Sequence, residues 1–315
     1  EKAEIFGRYR LNNVQTFSGI SSKIFADKWF YLPKGRAIFK TYETQEETKN
    51  NRIVNELICQ ELAKQVGLAC AEYEPASYKG FKGLVSYDVT KDNETLISGK
   101  ELCLRMGFPS CSNSVYQYKD VFKRYKMLNP QIEVKQLILD LYKIVIFDAL
   151  TFQTDRHQNN VFFIKDKYGK LRVSPIIDNE LSFSGNHLLI STMLNTLYRS
   201  DLLENHVDTD KVLSVYKNQK LTNYENYIND VLTLAKTNKE AREIVDNFIK
   251  KMNIKQAIEN VEKMGIKIND GYKEYLTKLV GISKRIMRAK LREFDNINNT
   301  QIQNNQAVNK DEIQK

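Results

Sequence analysis

The chain has 315 residues, of which 42% are apolar, and this is enough to bury a substantial core in two domains or two lobes. The charged fraction of 28% excludes a wholly disordered or fibrous protein, and a content of 13 Gly and 5 Pro argues against a turn-rich all-β fold. The formal net charge of +9 suits a polyanionic partner such as nucleic acid, a membrane surface or nucleotide phosphates, without choosing among them.

The first part of the chain is predicted to be a small unit of strands with one long helix. The helix spans Thr48–Val66, since apolar residues recur there at three- and four-residue steps and Gly67 stands at a typical C-cap position. The predicted strands are Lys23–Phe25, Trp29–Leu32, Ala37–Tyr42, Glu72–Tyr78 and Lys82–Val89.

From Lys100 onward the pattern is mostly helical, with a short β hairpin. The predicted helices are Val115–Tyr125, Val134–Gln153 and much of Leu188–Arg292, and the hairpin strands are Val161–Lys165 and Lys170–Pro175. We therefore predict an α+β fold with a β-rich N-lobe (residues 1–90), a larger helical C-lobe (residues 91–295) and a disordered, Asn- and Gln-rich tail (residues 296–315). Kinase folds have this outline, but the outline alone is weak evidence for function.

The four Cys and three His show no metal-ligand spacing, which argues against a structural zinc site. So few Cys also argue against a disulfide scaffold and favour a reducing compartment. The N-terminus has no signal-peptide core, and the most apolar stretch, Leu137–Phe152, carries three charged residues. The expectation is a soluble, cytoplasmic protein without a transmembrane segment, with secretion into a host as the alternative.

The most informative segment is Thr-Asp-Arg-His-Gln-Asn-Asn at residues 154–160, which follows an apolar helix and precedes a strand. A second strand then leads to Asp178. Phosphoryl transfer from ATP needs a carboxylate to deprotonate the attacking hydroxyl, and an amide oxygen and a second carboxylate to fix Mg²⁺. Asp155, Asn160 and Asp178 supply that set, and such hard oxygen ligands suit Mg²⁺ or Mn²⁺. Each residue alone is more often a turn or a cap, but their joint order favours catalysis.

His157 has two interpretations. It is either a general base in its own right or a packed histidine that braces the loop beside the nucleotide.

A kinase-like small lobe needs a Lys that holds the ATP phosphates and a helical Glu that positions it. Lys40 ends a predicted strand and Glu56 lies on the long helix, sixteen residues later. Lys34 is the rival to Lys40 and Glu61 is the rival to Glu56. The alternative interpretation is a pair of ordinary surface charges.

A glycine-bearing loop normally covers the phosphates with backbone amides. The stretch Thr16–Lys23 precedes a predicted strand and fits that place, which makes Ser18, Gly19 and Lys23 nucleotide-binding candidates. The signal is weak by itself, because a single Gly among hydroxyl residues is also an ordinary turn.

Taken together, these motifs resemble the HipA-like serine/threonine kinases, bacterial members of the protein-kinase-like superfamily. The resemblance implies that Asp155 is the catalytic base, that Asn160 and Asp178 hold Mg²⁺ and that Lys40 binds ATP. It places the adenine hinge at Val85–Asp88, with Val85, Tyr87 and Asp88 as candidates. The candidates for autophosphorylation are Thr16, Ser18, Ser21 and Ser22.

The resemblance also implies partners. The family's kinases are often toxins of toxin–antitoxin pairs, so the expected substrate is a protein, with components of translation as examples, and the expected partner is a small antitoxin. The chain begins almost at the phosphate loop, so it resembles the short members, whose missing N-terminal subdomain would be a separate protein. Direct nucleic-acid binding is not expected, since no zinc finger, RNP-like strand or helix-turn-helix signature is present.

Two departures from conventional kinases keep other functions open. Asp178 is followed by Asn-Glu rather than Phe-Gly, so activation-loop regulation is not expected. Asp155-Arg156-His157 also resembles the Asp-Arg-His of phosphoinositide kinases, which keeps a lipid kinase or effector as an alternative. A nucleotide-binding pseudokinase that acts through a partner is the remaining alternative.

Overall fold

The computed structural model describes residues 3–5, 9–10, 14–16, 28–41, 50–108, 115–153, 156, 158–183 and 231–313. The predicted strand Lys23–Phe25 and the predicted helical residues 188–230 lie outside these ranges. Within them the chain forms a small lobe rich in strands and a large lobe rich in helices.

The small lobe is built on a seven-stranded antiparallel sheet with the order β2-β1-β6-β7-β5-β4-β3. Its strands are β1 (Ala3–Ile5), β2 (Tyr9–Arg10), β3 (Val14–Thr16), β4 (Lys28–Leu32), β5 (Gly35–Thr41), β6 (Tyr73–Tyr78) and β7 (Phe81–Tyr87). The four strands predicted between residues 29 and 89 are confirmed. The short strands β1–β3 were not predicted, because two or three residues are too few to show a period of two.

The register of the central strands separates the two faces of this sheet. In β5, Lys40 lies opposite Leu84 of β7, and Ile38 lies opposite Ser86. Side chains of paired residues share a face and neighbours along a strand alternate. The other face carries a separate apolar cluster of Phe30, Leu32, Ala37, Phe39, Ala76, Tyr78, Val85 and Tyr87.

Helix α1 (Asn50–Val66) lies between the sheet and the large lobe, and every residue from Ile53 to Ala63 is buried. Four of these buried residues are polar, and each has a hydrogen-bond partner: Asn55, Glu56, Gln60 and Glu61. Gly67 ends the helix at φ +71°, where the Leu68 amide donates to Ala63 O at 2.9 Å. The predicted helix and its glycine C-cap are confirmed.

The large lobe combines a small sheet with long helices. Its elements are β8 (Thr95–Ser98), α2 (Gly99–Arg105), α3 (Val115–Leu128), α4 (Val134–Leu150), β9 (Phe162–Lys165), β10 (Leu171–Val173), a helical segment at residues 231–237, α5 (Lys239–Lys251), α6 (Ile254–Lys263) and α7 (Asp270–Ile313). The predicted hairpin is confirmed as β9–β10, and the unpredicted strand β8 pairs with β9. Helix α4 ends before Phe152, whose φ of +49° cannot continue a helix.

Helix α7 differs from the prediction at the C-terminal end. It continues to Ile313, through residues that the composition predicted as a disordered tail. Asn and Gln cost a helix only about 0.7 kcal/mol each or less, so a helix that is already anchored can propagate through them. The boundary between the two lobes, at residues 90 and 91, stays a prediction.

The cysteines also differ from the expectation in one respect. Cys103 is disulfide-bonded, whereas Cys59 and Cys70 are not. Spacing in the sequence does not show which thiols meet, and Cys111 lies outside the described residues. Every helix in the described ranges is too short or too polar to cross a lipid bilayer.

Gly83 allows strands β5 and β7 to approach closely beside Lys40. A Cβ at this position would lie 2.0 Å from the backbone oxygen of Lys40. We expect Gly83→Ala to lower the free energy of unfolding by about 2 kcal/mol, since relieving such a clash shifts backbone. Urea denaturation would measure it. Gly281→Ala is the matched control, because its Cβ would meet open space in α7 and should stabilise the chain by up to about 1 kcal/mol.

Candidate functional site

Lys40, Glu56 and Asp178 meet where the sheet, helix α1 and the segment after β10 come together. Lys40 Nζ lies 3.6 Å from Glu56 Oε1 and 3.4 Å from Asp178 Oδ1. The side chains of Lys40 and Glu56 are 8% and 0% exposed. The three residues come from distant parts of the chain, and their contact is a product of the fold.

The surroundings keep the Lys40 ammonium charged. Burial by itself would lower the pKa of Lys40, but the charges of Asp178, Glu56 and Glu180 outweigh this and hold its pKa above the ordinary value. The ring of Tyr73 also lies 5.7 Å from Nζ. A protonated ammonium of this kind can bind phosphate oxygens.

The rivals from the sequence lie elsewhere. Lys34 pairs with Glu72, at 2.6 Å, and with Glu74. Glu61 accepts from Lys64 at 2.6 Å and from Asn260 at 3.0 Å. The geometry therefore brings Lys40 and Glu56 together and places both rivals in other contacts.

The backbone around Asp178 is held in an unusual conformation. Asp178 has a φ of +62°, in the left-handed region, and its amide donates to Tyr73 Oη at 3.2 Å. A parallel bridge between Cys70 and Ile176 fixes the chain just before it. The next amide, that of Asn179, donates to Glu56 Oε2 at 2.9 Å. These contacts aim the Asp178 carboxylate at Lys40.

Glu180 is a further acidic residue at this site, which sequence reasoning missed. One carboxylate oxygen each from Glu56, Asp178 and Glu180 lie within 4.8 Å of one another, and Glu180 also lies 3.4 Å from Arg52. Asp178, with 29% of its side chain exposed, is the most open of the three. Three carboxylate oxygens this close together are donors of the kind that a divalent cation such as Mg²⁺ prefers. The available signal was a second carboxylate two residues after Asp178.

Asn160 and Arg156 link the loop after α4 to the Asp178 segment. Arg156 is buried and donates to the backbone oxygens of Asn160 at 3.2 Å and of Ile177 at 2.8 Å. It also pairs with Asp148 of α4, whose pKa is raised by burial against the opposing effect of Arg156. In the sequence, a charged residue such as Asp148 within an apolar helix indicates a buried partner of opposite charge. Thr154, Asp155 and His157 lie outside the described residues.

The proposed phosphate loop lies mostly outside the described residues as well. This applies to Ser18, Gly19, Ser21, Ser22 and Lys23. Thr16 ends strand β3, which pairs with β4.

The hinge candidates sit on the central strand β7 and its end. The side chains of Val85 and Tyr87 belong to the apolar cluster on the face opposite Lys40, so only their backbone could reach a nucleotide on the Lys40 face. Asp88 pairs with Arg36 through Nε at 2.6 Å. Ile38 and Ser86 lie on the same face of the sheet as Lys40, and the sequence analysis did not name them as candidates. Alternation along the strand from Lys40 could have identified Ile38, because every second residue shares a face.

Comparison with known proteins shows the family and the fold of the chain. Residues 16–256 match the family described as "HipA-like C-terminal domain". No curated protein matches the chain in sequence. Among solved structures, the proinflammatory kinase CtkA of Helicobacter pylori is 14% identical, with a TM-score of 0.61 over 90% of this chain and 96% of that one. The predicted α+β, kinase-like two-lobed fold is thereby confirmed.

A second solved structure is HipA of Shewanella oneidensis MR-1, in a toxin–antitoxin complex with HipB and operator DNA. It is 13% identical, with a TM-score of 0.42 over 83% of this chain and 59% of that one. The match to the family covers well over half of the present sequence. The chain therefore belongs to the HipA-like C-terminal domain family.

Proposed function

We propose that the chain is an ATP- and Mg²⁺-dependent kinase that transfers the γ-phosphoryl group to a Ser or Thr hydroxyl of a protein. The observation that carries this proposal is the buried contact of Lys40 with Glu56 and Asp178. In phosphoryl transfer the protein mainly positions the reactants and stabilises charge, and this contact supplies a fixed cation between two fixed carboxylates.

Each residue has a distinct task in this proposal. Lys40 binds the phosphates, and Glu56 holds the ammonium in place. Asp178 and Asn160 would hold Mg²⁺, with Glu180 adding negative charge beside them. When bound, the metal neutralises charge that develops on the phosphoryl oxygens. Asp155 orients the attacking hydroxyl and accepts its proton, and Ser18, Gly19 and Lys23 cover the phosphates.

The remaining candidates concern the adenine site and the loop that carries Asp155. We propose that Tyr87 and Asp88 contribute to the adenine site through the backbone that follows β7, and that His157 braces the loop of Asp155. Val85 supports this strand from within the apolar cluster on the other face.

The biological role that we propose is that of a toxin in a toxin–antitoxin pair. Membership of the HipA-like family supports this role. The corresponding partner would be a small antitoxin, and the substrate a protein such as a component of translation.

Incubation of the purified chain with γ-labelled ATP and Mg²⁺ tests the chemistry. We expect labelling of the chain itself or of an added protein, and a loss of about 10²-fold or more in the Asp155→Asn variant, because proton acceptance and orientation are removed together. Expression in bacteria should arrest growth, and Asp155→Asn should relieve the arrest. The absence of any protein labelling would refute the proposal, and labelling of phosphatidylinositol vesicles alone would favour the lipid kinase.

A further inference from the structure

Arg156 makes five hydrogen bonds with described residues, and they use every N–H of its guanidinium. Nε and Nη2 donate to the two carboxylate oxygens of Asp148 at 3.0 and 3.1 Å. Nη2 also donates to Asn179 Oδ1 at 2.6 Å, and Nη1 donates to the backbone oxygens of Asn160 and Ile177 at 3.2 and 2.8 Å. Arg156 and Asp148 are 3% and 1% exposed.

The acceptors lie at or next to both candidate metal ligands, Asn160 and Asp178. Ile177 precedes Asp178 and Asn179 follows it, so the guanidinium holds the chain on either side of this carboxylate. Asn160 is held by the same nitrogen as Ile177. Asn179 continues the connection through its amide, which donates to Glu56. The Arg156 side chain thus joins the loop of Asn160 to the segment of Asp178, and Asn179 links this segment to Glu56.

Stability alone does not explain a buried ion pair at this place. Taking two charges out of water costs several kcal/mol per ion, and apolar residues of similar volume often stabilise a core as well or better. A planar guanidinium offers something that apolar residues and Lys lack, namely five donors in a rigid arrangement. Rigid donors are suited to fixing the spacing of several backbone carbonyls.

We propose that Arg156, anchored by Asp148, is a positioning residue that sets the spacing of Asn160 and Asp178 for a metal–nucleotide complex. This inference rests on the proposed function. Residues that orient metal ligands without contacting the metal typically change metal affinity by about 10- to 100-fold when they are altered. Arg156→Lys keeps the charge beside Asp148 but cannot hold all the carbonyls, so it isolates the geometric role.

The experiment measures Mn²⁺ binding by electron paramagnetic resonance in the presence of a non-hydrolysable ATP analogue. We expect Arg156→Lys to weaken Mn²⁺ binding by about 10-fold or more. In kinase assays the half-saturating Mg²⁺ concentration should rise, while the half-saturating concentration of the phosphate acceptor stays unchanged. The matched control is Arg242→Lys, which alters another bidentate pair, with Asp295, and should bind Mn²⁺ like the wild type.

The outcomes separate this inference from the proposed function. If the wild type binds no Mn²⁺ with the nucleotide, the proposed function itself is refuted. If the wild type binds and Arg156→Lys binds equally well, the positioning role is refuted and the kinase proposal survives. Should Arg156→Lys fail to fold, Asp148→Asn replaces it, because it loosens the anchor and leaves the guanidinium; unchanged Mn²⁺ binding in that variant also overturns the inference.

Discussion

Asp178→Asn should lower Mg²⁺-dependent phosphoryl transfer by about 10³-fold, because metal-bound charge stabilisation amounts to several kcal/mol and each 1.4 kcal/mol is a factor of ten. Asp178 is the most exposed of the three neighbouring carboxylates, the other two being Glu56 and Glu180, and it lies 3.4 Å from Lys40 Nζ. An amide in its place keeps the shape but loses the charge that attracts a divalent cation. Transfer from γ-labelled ATP, together with Mn²⁺ binding, would measure the effect.

The substitution is a clean test because the backbone should not change. Asp178 has a φ of +62°, and Asn tolerates the left-handed region as well as Asp does. The variant should nevertheless lose some stability, because the buried Lys40 ammonium keeps Glu56 as a partner but loses the carboxylate of Asp178. Urea denaturation measures this loss separately from the loss of activity. Asp120→Asn is the matched control, since Asp120 is exposed on α3 and pairs with Lys123. A fully active Asp178→Asn variant would disprove the metal-binding role.

The order of strands and helices along the chain predicted more of this site than the amino-acid composition did. The sequence singled out Lys40 at a strand end and Glu56 on the following helix, and the fold puts these two side chains in contact. When a helix packs on the sheet that contains the preceding strand, only a few positions of the two elements can come into contact. The order of the elements and their periodicity were therefore enough to predict the Lys40–Glu56 pair. No role at the site was predicted for Glu180 or Arg156. Their contacts join segments that are distant in the sequence, and the sequence does not show which distant segments meet.

The faces of the central strands show where the prediction was too coarse. The strand around Val85 was predicted, but its register with β5 was not, and register decides which side chains face Lys40. Val85 and Tyr87 consequently belong to the apolar cluster on the opposite face, whereas Ile38 and Ser86 lie on the same face of the sheet as Lys40. A one-residue shift would exchange these sets, and the sequence alone did not fix that shift.

Hydrogen bonds attach helix α1 to the large lobe near both of its ends. Asn55 donates to the backbone oxygens of Glu180 and Ser182 at 2.9 and 3.1 Å and accepts from Tyr272. Near the other end of the helix, Gln65 exchanges hydrogen bonds with Asn253 of 2.9 and 2.7 Å. These contacts of α1 with the large lobe hold Glu56 in place beside Lys40.

Lys40→Met should affect both activity and stability. Loss of the cation that binds the phosphates should slow transfer by about 10²-fold or more, as seen when one preorganised donor is removed. Removal of one partner from a buried ion pair costs about 3 kcal/mol, because Glu56 stays buried without its cation. Lys34→Met is the matched control and should change neither property strongly, since Lys34 is 47% exposed. Kinase assays and urea denaturation would measure the two effects.

The double variant Lys40→Met/Glu56→Gln separates the two effects. A neutral amide beside Met removes the uncompensated charge, so most of the lost stability should return. Activity should not return, because neither side chain can then hold a phosphate oxygen by charge. If activity recovered together with stability, Lys40 would be a structural lysine and the site would need another cation for the nucleotide. If neither recovered, the destabilisation would come from Asp178 and Glu180, the other carboxylates around the ammonium.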